Sequence, residues 1–410
     1  MKKLNTLLFS ILLIAVLTFS LVGCQTTSST TSTKSTAAAV TSTTTAKPAT
    51  TASTTVKSTT TSAAPVTTST AVSKTTTTTA PVSADGTTRV ITDMYGTQLT
   101  IPATVNRIIA TGPVETQLLY IIAPDKLVGL SSAWTGNPAY IPEKYKNIPV
   151  IGNSSDGSFN YEAAITTAPD VVLEGKTKNL AKDREKFGNI PVIGVNAGDD
   201  LLTMYENEIN YVADILGVTK ESEAFLTYYK EAMAYVKNVV SEISDSEKVR
   251  VYYAEGNDGL MTDAEGSWHT NLLTFCGGDN VAAVQVSNTS QAVQVSMEQI
   301  YSWEGTGPID MIIIGRTSQA TTRQAILNSS TWQKITCVQA GKVYTRPDNP
   351  TSWFDGPPGY GQILGMYWMV QTLYPEKTTD LDLKAKVMEF YSEFLHYDLT
   401  DAQATQLIAK

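Results

Sequence analysis

Two histidines, a few arginines and a set of glycines and serines at the ends of apolar runs set what chemistry this chain can do. His269 stands beside Trp268 near a strand end, and His396 falls in a late helical stretch. Sites for bare zinc or manganese gather several imidazoles with carboxylates, because imidazole suits those ions. Two isolated histidines argue against bare zinc, and no metal site is expected. His269 is read either as a lone ligand or hydrogen-bond donor, or as an ordinary residue at a helix start. No Gly-x-Ser-x-Gly elbow, His-Glu-x-x-His, phosphate-binding loop or Cys-x-x-Cys is present, so the usual catalytic signatures are missing. Two histidines also leave little for acid–base work at neutral pH. The chain is not expected to be an enzyme.

What remains is capture of a small molecule. Ligands of open α/β sheets sit beyond the carboxyl ends of the strands. Here those ends carry Thr111 and Gly112, Ser132 and Trp134, Lys176, Tyr253, Arg316 and Arg346. Gly and Ser there expose backbone N–H groups, and helix N-termini add partial positive charge. Arg316 and Arg346 could grip an anion through a planar fork of donors, or serve in internal salt bridges. Trp134, Tyr253, Trp268 and Trp353 could wall an organic chelate, or pack in the core.

Positioning such residues takes an alternation of short β-rich runs and helices, which the sequence from about residue 87 onward supplies. Thr92–Ile101 reads as a hairpin turning at Tyr95-Gly96. Strands follow at 107–112, 127–130, 171–174 and 191–195, with a helix at about 114–122. From about Leu201 to Ile243 one helical stretch contains a single glycine, Gly217, where a C-cap and a fresh start are expected. Strands at 249–254, 311–314 and 342–345 come next, with helices at 267–276, 359–374, 381–396 and 401–409.

One pattern recurs. Asn160-Tyr-Glu162-Ala-Ala-Ile165 followed by Pro169-Asp170-Val-Val-Leu173 returns as Ser296-Met-Glu298-Gln-Ile300 followed by Pro308-Ile-Asp310-Met-Ile-Ile-Ile314. Each copy has an N-cap residue, a Glu in the first turn where the helix dipole favours negative charge, a turn and a strand. The expected fold class is therefore α/β, with two similar lobes joined by a long rigid helix and a cleft between them. The expected divisions are 87–200 for the first lobe, 201–244 for the helical linker and 245–410 for the second lobe.

The amino-terminal end reads differently. Lys2 and Lys3 precede an apolar run from Leu7 to Val22, a secretory pattern that is short for a spanning helix. Leu21-Val22-Gly23-Cys24 resembles the lipobox of bacterial lipoproteins. The resemblance implies a signal peptide over 1–23, acylation of Cys24 and attachment to the cell membrane. Residues 24–86 are almost all Thr, Ser, Ala and Val, lacking aromatics, Leu and Ile. Such a segment cannot offset its ordering entropy and is expected to be a disordered stalk. Six of the 30 basic residues and one of the 39 acidic ones precede Gly86. The remainder carries 24 basic and 38 acidic residues, which argues against nucleic acid as a partner. Cys276 and Cys337 could pair outside the cytoplasm or stay as buried thiols.

The order of these pieces resembles the substrate-binding proteins of ferric-siderophore, haem and cobalamin importers. The matching segments are Ile91–Gly96, Arg107–Gly112 with Glu115 and Leu118-Leu-Tyr120, Asp125–Gly129, the two repeated modules and Leu272–Asn280. Pro350-Thr-Ser-Trp-Phe-Asp-Gly-Pro-Pro-Gly359 and Leu364–Met369 look like a branch that includes molybdate and tungstate binders. The resemblance implies a ligand held between the lobes, only small closure about a stiff helix, and an ABC permease and ATPase as partners. It carries the permease-docking role onto Glu162 and Glu298. The implied solute is a metal chelate, either ferric siderophore, haem or corrinoid, with a molybdate or tungstate oxyanion as the alternative and no resident cofactor. A stalked adhesin or glycan binder is the reading from another class. A monomer is the default for such proteins.

Overall fold

The computed structural model describes residues 86–134, 138–196, 204–263, 266–267, 269–284, 292–315, 319–355 and 359–409. The signal, Cys24 and the stalk lie outside the described residues, as do Trp268 and Arg316. Among the described residues no helix is long and apolar enough to cross a membrane.

The first lobe opens with a hairpin of β1 (Thr88–Thr92) and β2 (Gln98–Pro102), paired antiparallel from Thr88 opposite Pro102 to Thr92 opposite Gln98. Asp93 Oδ1 accepts from the N–H groups of Tyr95 and Thr97 and so shapes the expected turn. Three strands then form a parallel sheet in the order β3 (Ile108–Ala110), β4 (Val171–Glu174) and β5 (Val192–Gly194). All their residues are buried, as continuous apolar runs in parallel sheets should be. Leu127 bridges to Ile108 on the free side of β3, so the expected strand at 127–130 is reduced to isolated bridges. Helices α1 (Pro113–Ile122), α2 (Glu143–Lys146), α3 (Tyr161–Thr166) and α4 (Thr177–Phe187) surround this sheet.

The long helical stretch breaks where expected. Helix α5 (Met204–Leu216) ends at Gly217, whose φ of +66° suits glycine. The N–H of Val218 then bonds the carbonyl of Ala213, closing α5 with a Schellman-type cap. Helix α6 (Thr219–Ser241) runs for 23 residues, roughly 34 Å at 1.5 Å per residue. It buries Phe225, Tyr229, Ala232, Val236 and Val239 along one face.

The second lobe repeats the first. Its elements are β6 (Arg250–Ala254), β7 (Met261–Thr262), α7 (Asn271–Phe275), β8 (Asp279–Asn280), β9 (Val293–Gln294), α8 (Met297–Thr306), β10 (Met311–Ile314), α9 (Gln319–Asn328), α10 (Thr336–Gln339) and β11 (Val343–Thr345). The main sheet has the order β11-β10-β6-β8, all parallel, while β7 and β9 pair antiparallel. The repeated modules occupy matching places: α3 with β4, and α8 with β10. Asn160 and Ser296 cap the two helices, accepting from Ala163 and Gln299. Asp170 Oδ2 accepts from the backbone of Arg107, and Asp310 Oδ2 from that of Arg250. The two arginines then close the C-terminal ends of α3 and α8, donating to Thr167 and Ala168 and to Gly307 and Trp303.

Three helices close the chain: α11 (Gln362–Leu373), α12 (Leu383–Phe394) and α13 (Asp401–Leu407). Helix α11 is buried at every position except Gln371 and packs on α6, α7 and α12, the signature of a core helix. The end of α12 returns to the first lobe, where Tyr120 Oη donates to Leu395 O and His396 Nε2 meets Tyr120 O at 3.1 Å. One apolar core accordingly runs from β3 and α1 through α6 to α11 and α12.

Candidate functional site

Helix α1 follows β3 at the carboxyl end of the first sheet, and the segment ending at Gly359 follows β11 at the carboxyl end of the second. The segment that follows β11 packs against α1: a Cβ on Gly359 would lie 2.4 Å from Gln117 Oε1. A crevice at this junction is lined by Gln117, Tyr120, Trp134, Asn349, Thr351 and Trp353, among others, and holds little more than a water molecule.

On the first lobe, the space at the strand ends is filled by an acid. Glu115 sits in the first turn of α1 and is buried. A Cβ on Gly112 would lie 2.5 Å from its Oε2, and one on Gly175 only 1.9 Å from its Oε1. These glycines therefore make room for a carboxylate of the chain itself, where the sequence suggested backbone donors open to a ligand. Burial raises the pKa of Glu115, against its backbone hydrogen bond and nearby Lys176. Glu208 of α5 is also buried and accepts from Tyr360 Oη at 3.0 Å. Burial, and then repulsion from Glu115, push it up to about 8. Thr111 is buried and donates to Glu174 Oε2 at 2.5 Å, while the N–H of Lys176 donates to Glu174 Oε1 at 2.6 Å. The Lys176 side chain and Ser132 are exposed; Trp134 is half-buried, its ring 4.6 Å from that of Tyr120.

On the second lobe, Tyr253 is fully buried, with its Oη 3.3 Å from Glu255 Oε1 and its ring against Phe354. Gly315 makes room for that ring, since a Cβ there would lie 2.0 Å from the Tyr253 hydroxyl. His269 is buried, and its Nδ1 lies 3.0 Å from Asp263 Oδ2. Arg346 faces Asp355 at 2.7 Å, Ser352 at 2.6 Å and Asp348 at 3.4 Å. Its charge is thus spent largely within its own loop. Trp353 is buried, and its Nε1 donates to Asn349 O at 2.9 Å. This matches the core-packing alternative for that residue.

Glu162 and Glu298 are both exposed in the first turns of α3 and α8. The backbone at Glu298 and the Ser296 hydroxyl hold the Glu298 carboxyl below its usual range. Cys276 and Cys337 are free and belong to different cores; burial pushes the Cys337 thiol up to about 12. Among the described residues no group of three or more His, Cys, Asp or Glu could hold a metal ion. Sequence reasoning passed over Glu174, Asp183, Glu208 and Tyr360. The helical period does place Glu208 with Val212 and Ile215 on the buried stripe of α5, which is the signal that was there to be found.

Comparison with known proteins agrees with this architecture. A family model described as periplasmic binding protein matches residues 108–350. Molybdate-binding protein MolA of Haemophilus influenzae is 24% identical over 332 residues, covering 75% of this chain and 90% of that protein. An ABC transporter solute binding protein from Sulfurospirillum deleyianum superposes with a TM-score of 0.68 at 26% identity, covering 78% of this chain and 98% of that one. A periplasmic solute binding protein from Veillonella parvula gives 0.65 at 26%, covering 78% and 96%. The structure of MolA bound to molybdate gives 0.62 at 22%, covering 76% and 99%. With more than half its length matched and both lobes in place, the chain belongs to the periplasmic binding protein family, as a solute-binding protein rather than an enzyme.

Proposed function

We propose that this protein is the lipid-anchored capture component of an ABC importer, held at the cell membrane through Cys24. It passes a metal chelate to a permease that docks on Glu162 and Glu298 and is driven by an ATPase. The observation that carries the choice of solute is that Arg346 is already engaged, facing Asp355 and Asp348. Glu115 and Glu174 are buried at the first-lobe strand ends, and burial raises the pKa of both carboxyls. A bare anion gains little from an arginine already paired, whereas a solute that brings its own cationic centre does not depend on it. His269 supports the same reading. Asp263 engages Nδ1, which leaves Nε2 for a second partner, the arrangement that orients imidazole toward a metal. Ser132, Trp134, Lys176, Trp268 and Arg316 are the remaining proposed contacts, with Thr111, Gly112, Tyr253, Arg346 and Trp353 proposed to shape the site from behind them.

A second reading takes molybdate or tungstate as the solute. The likeness to MolA favours it, with Arg316 as the proposed donor. Tryptophan fluorescence titration against ferric chelates, haem, cobinamide, molybdate and tungstate separates the two. Saturable quenching by a chelate alone is expected; a response to the oxyanions alone would replace the first reading with the second.

A further inference from the structure

Helix α4 departs from the charge balance of the molecule. After Gly86 the chain carries 38 acidic residues against 24 basic ones, yet Lys178, Lys182 and Lys186 recur at every fourth position of α4 and all are exposed. Residues four apart share one face of a helix, so the three ammonium groups line a single stripe. Glu185 is the one exposed acid of this helix. Lys144, Lys146, Lys230, Lys248, Lys384 and Lys386, on other elements, each face a carboxylate. Among the described residues the one basic side chain of α4 in an ion pair is Arg184, which meets the buried Asp93 at 2.5 Å.

Helix stability does not ask for this stripe. The dipole favours acids in a first turn and cations in a last one. Lys186 fits that rule, but the first turn of α4 holds Lys178 and no acid, after an N-cap, Lys176, whose side chain makes no capping bond. Helices α3, α8 and α12 open instead on Asn160, Ser296 and Asp382, each capping through its side chain. Nor does the scaffold ask for it. Arg184 and Arg323 donate alike to the carbonyls of Val192 and Val343, a register that sets Lys182 against Thr321 and Lys186 against Ala325. Local rules broken with no structural gain mark functional positions.

The stripe adjoins the proposed docking helix. Lys182 Nζ lies 5.6 Å from the centre of the Tyr161 ring, and Tyr161 Oη donates to Asp183 Oδ1 at 2.5 Å. Tyr161 immediately precedes Glu162 on α3. A partner complementary to Glu162 is cationic at that point and repels the neighbouring lysines, so these fit an anionic surface beside it. For a protein tethered at Cys24, the phosphate headgroups of the membrane supply that surface. A coil as long as the stalk spans roughly 45 Å, which lets the first lobe come down on the bilayer. We propose that Lys178, Lys182 and Lys186 form a contact surface for anionic phospholipid headgroups. The proposal rests on the reading of Cys24 as a lipid anchor. Each lysine held at an anionic surface favours contact about fivefold, and three together about a hundredfold. The attraction fades beyond roughly 8 Å at physiological salt.

Lysine footprinting of the full-length protein tests this, with the anchor inserted in vesicles of phosphatidylcholine alone or of phosphatidylcholine mixed with phosphatidylglycerol. At low salt, acetylation of Lys178, Lys182 and Lys186, read by mass spectrometry, should be at least about threefold slower on the anionic vesicles. The difference should vanish in about 0.5 M NaCl. Lys237 and Lys342, exposed on other elements, should react alike on both. Joint Lys178→Glu and Lys182→Glu replacement should remove the slowing at Lys186 and leave the circular dichroism spectrum unchanged. Equal rates on the two kinds of vesicle, or the same slowing at Lys237 and Lys342, overturns the surface. Slowing that appears only with added permease also overturns it and assigns the stripe to a protein partner. The anchor fails separately: a chain that floats with neither vesicle lacks the lipid, and the same rates under an excess of added anionic vesicles then decide the stripe.

Discussion

The two lobes share strand order, helix caps and the arginine that closes each module, yet they are filled by opposite chemistry. At the end of its central strand the first lobe places Glu174 and, beneath Gly175, the carboxyl of Glu115. The second places Ile314 and, beneath Gly315, the ring of Tyr253. Both glycines are demanded by close approach, and each makes room for a side chain from the neighbouring strand or the helix after it. The comparison teaches that the scaffold is set by caps, turns and apolar strands, while the strand-end residues are free to differ.

The largest effect is expected at the proposed docking face. Replacing Glu162 and Glu298 together by Arg should abolish transport while leaving solute affinity unchanged; uptake assays with a parallel binding titration check this. Loss of affinity in the double variant would mean that these residues serve the cleft instead. Next comes the second lobe's buried ion pair. Asp355→Ala leaves Arg346, whose side chain is 5% exposed, with Asp348 and Ser352, and should cost about 1–3 kcal/mol in denaturant unfolding. If the loss is below about 1 kcal/mol, the guanidinium has found other partners.

The paired glycines give a more pointed comparison. Gly175→Ala and Gly315→Ala should each cost about 1–3 kcal/mol through overpacking. Only the first should disturb the acidic cluster and change the pH profile of stability. That profile has a definite sign. Glu208 is raised from 4.5 to about 8 in the folded state, so the native protein holds more protons than the unfolded chain between those values. Stability from this group is full below about pH 4.5 and is lost as pH rises toward about 8, by at most about 1.4 kcal/mol per pH unit. Glu208→Gln should flatten that slope in thermal unfolding curves; an unchanged slope would assign it to other groups.

Much of the scaffold was legible before any coordinates. The strands at 171–174 and 311–314, the break at Gly217 and the two capped modules are all found where the apolar runs and cap residues put them. Local chemistry decides these features, so local sequence reports them. The site was less legible because it depends on which polar groups meet across long separations. The sequence left Arg346 open between an anion donor and an internal salt bridge, because its partner Asp355 lies in a loop that no pattern marks. Gly112 and Gly175 looked like exposed backbone until the carboxyl of Glu115, three and 60 residues away in sequence, was found above them. The return of α12 to Tyr120 had no sequence signal, since neither His396 nor Leu395 belongs to a recurring pattern.

The most direct test of capture between the lobes is backbone exchange measured with and without whichever solute quenches the tryptophans. The account predicts added protection on both sides at once, at Thr111–Gln117 of the first lobe and at Arg346–Gln362 beyond β11. Protection confined to one lobe, or to the outer faces of α3 and α8, would contradict it.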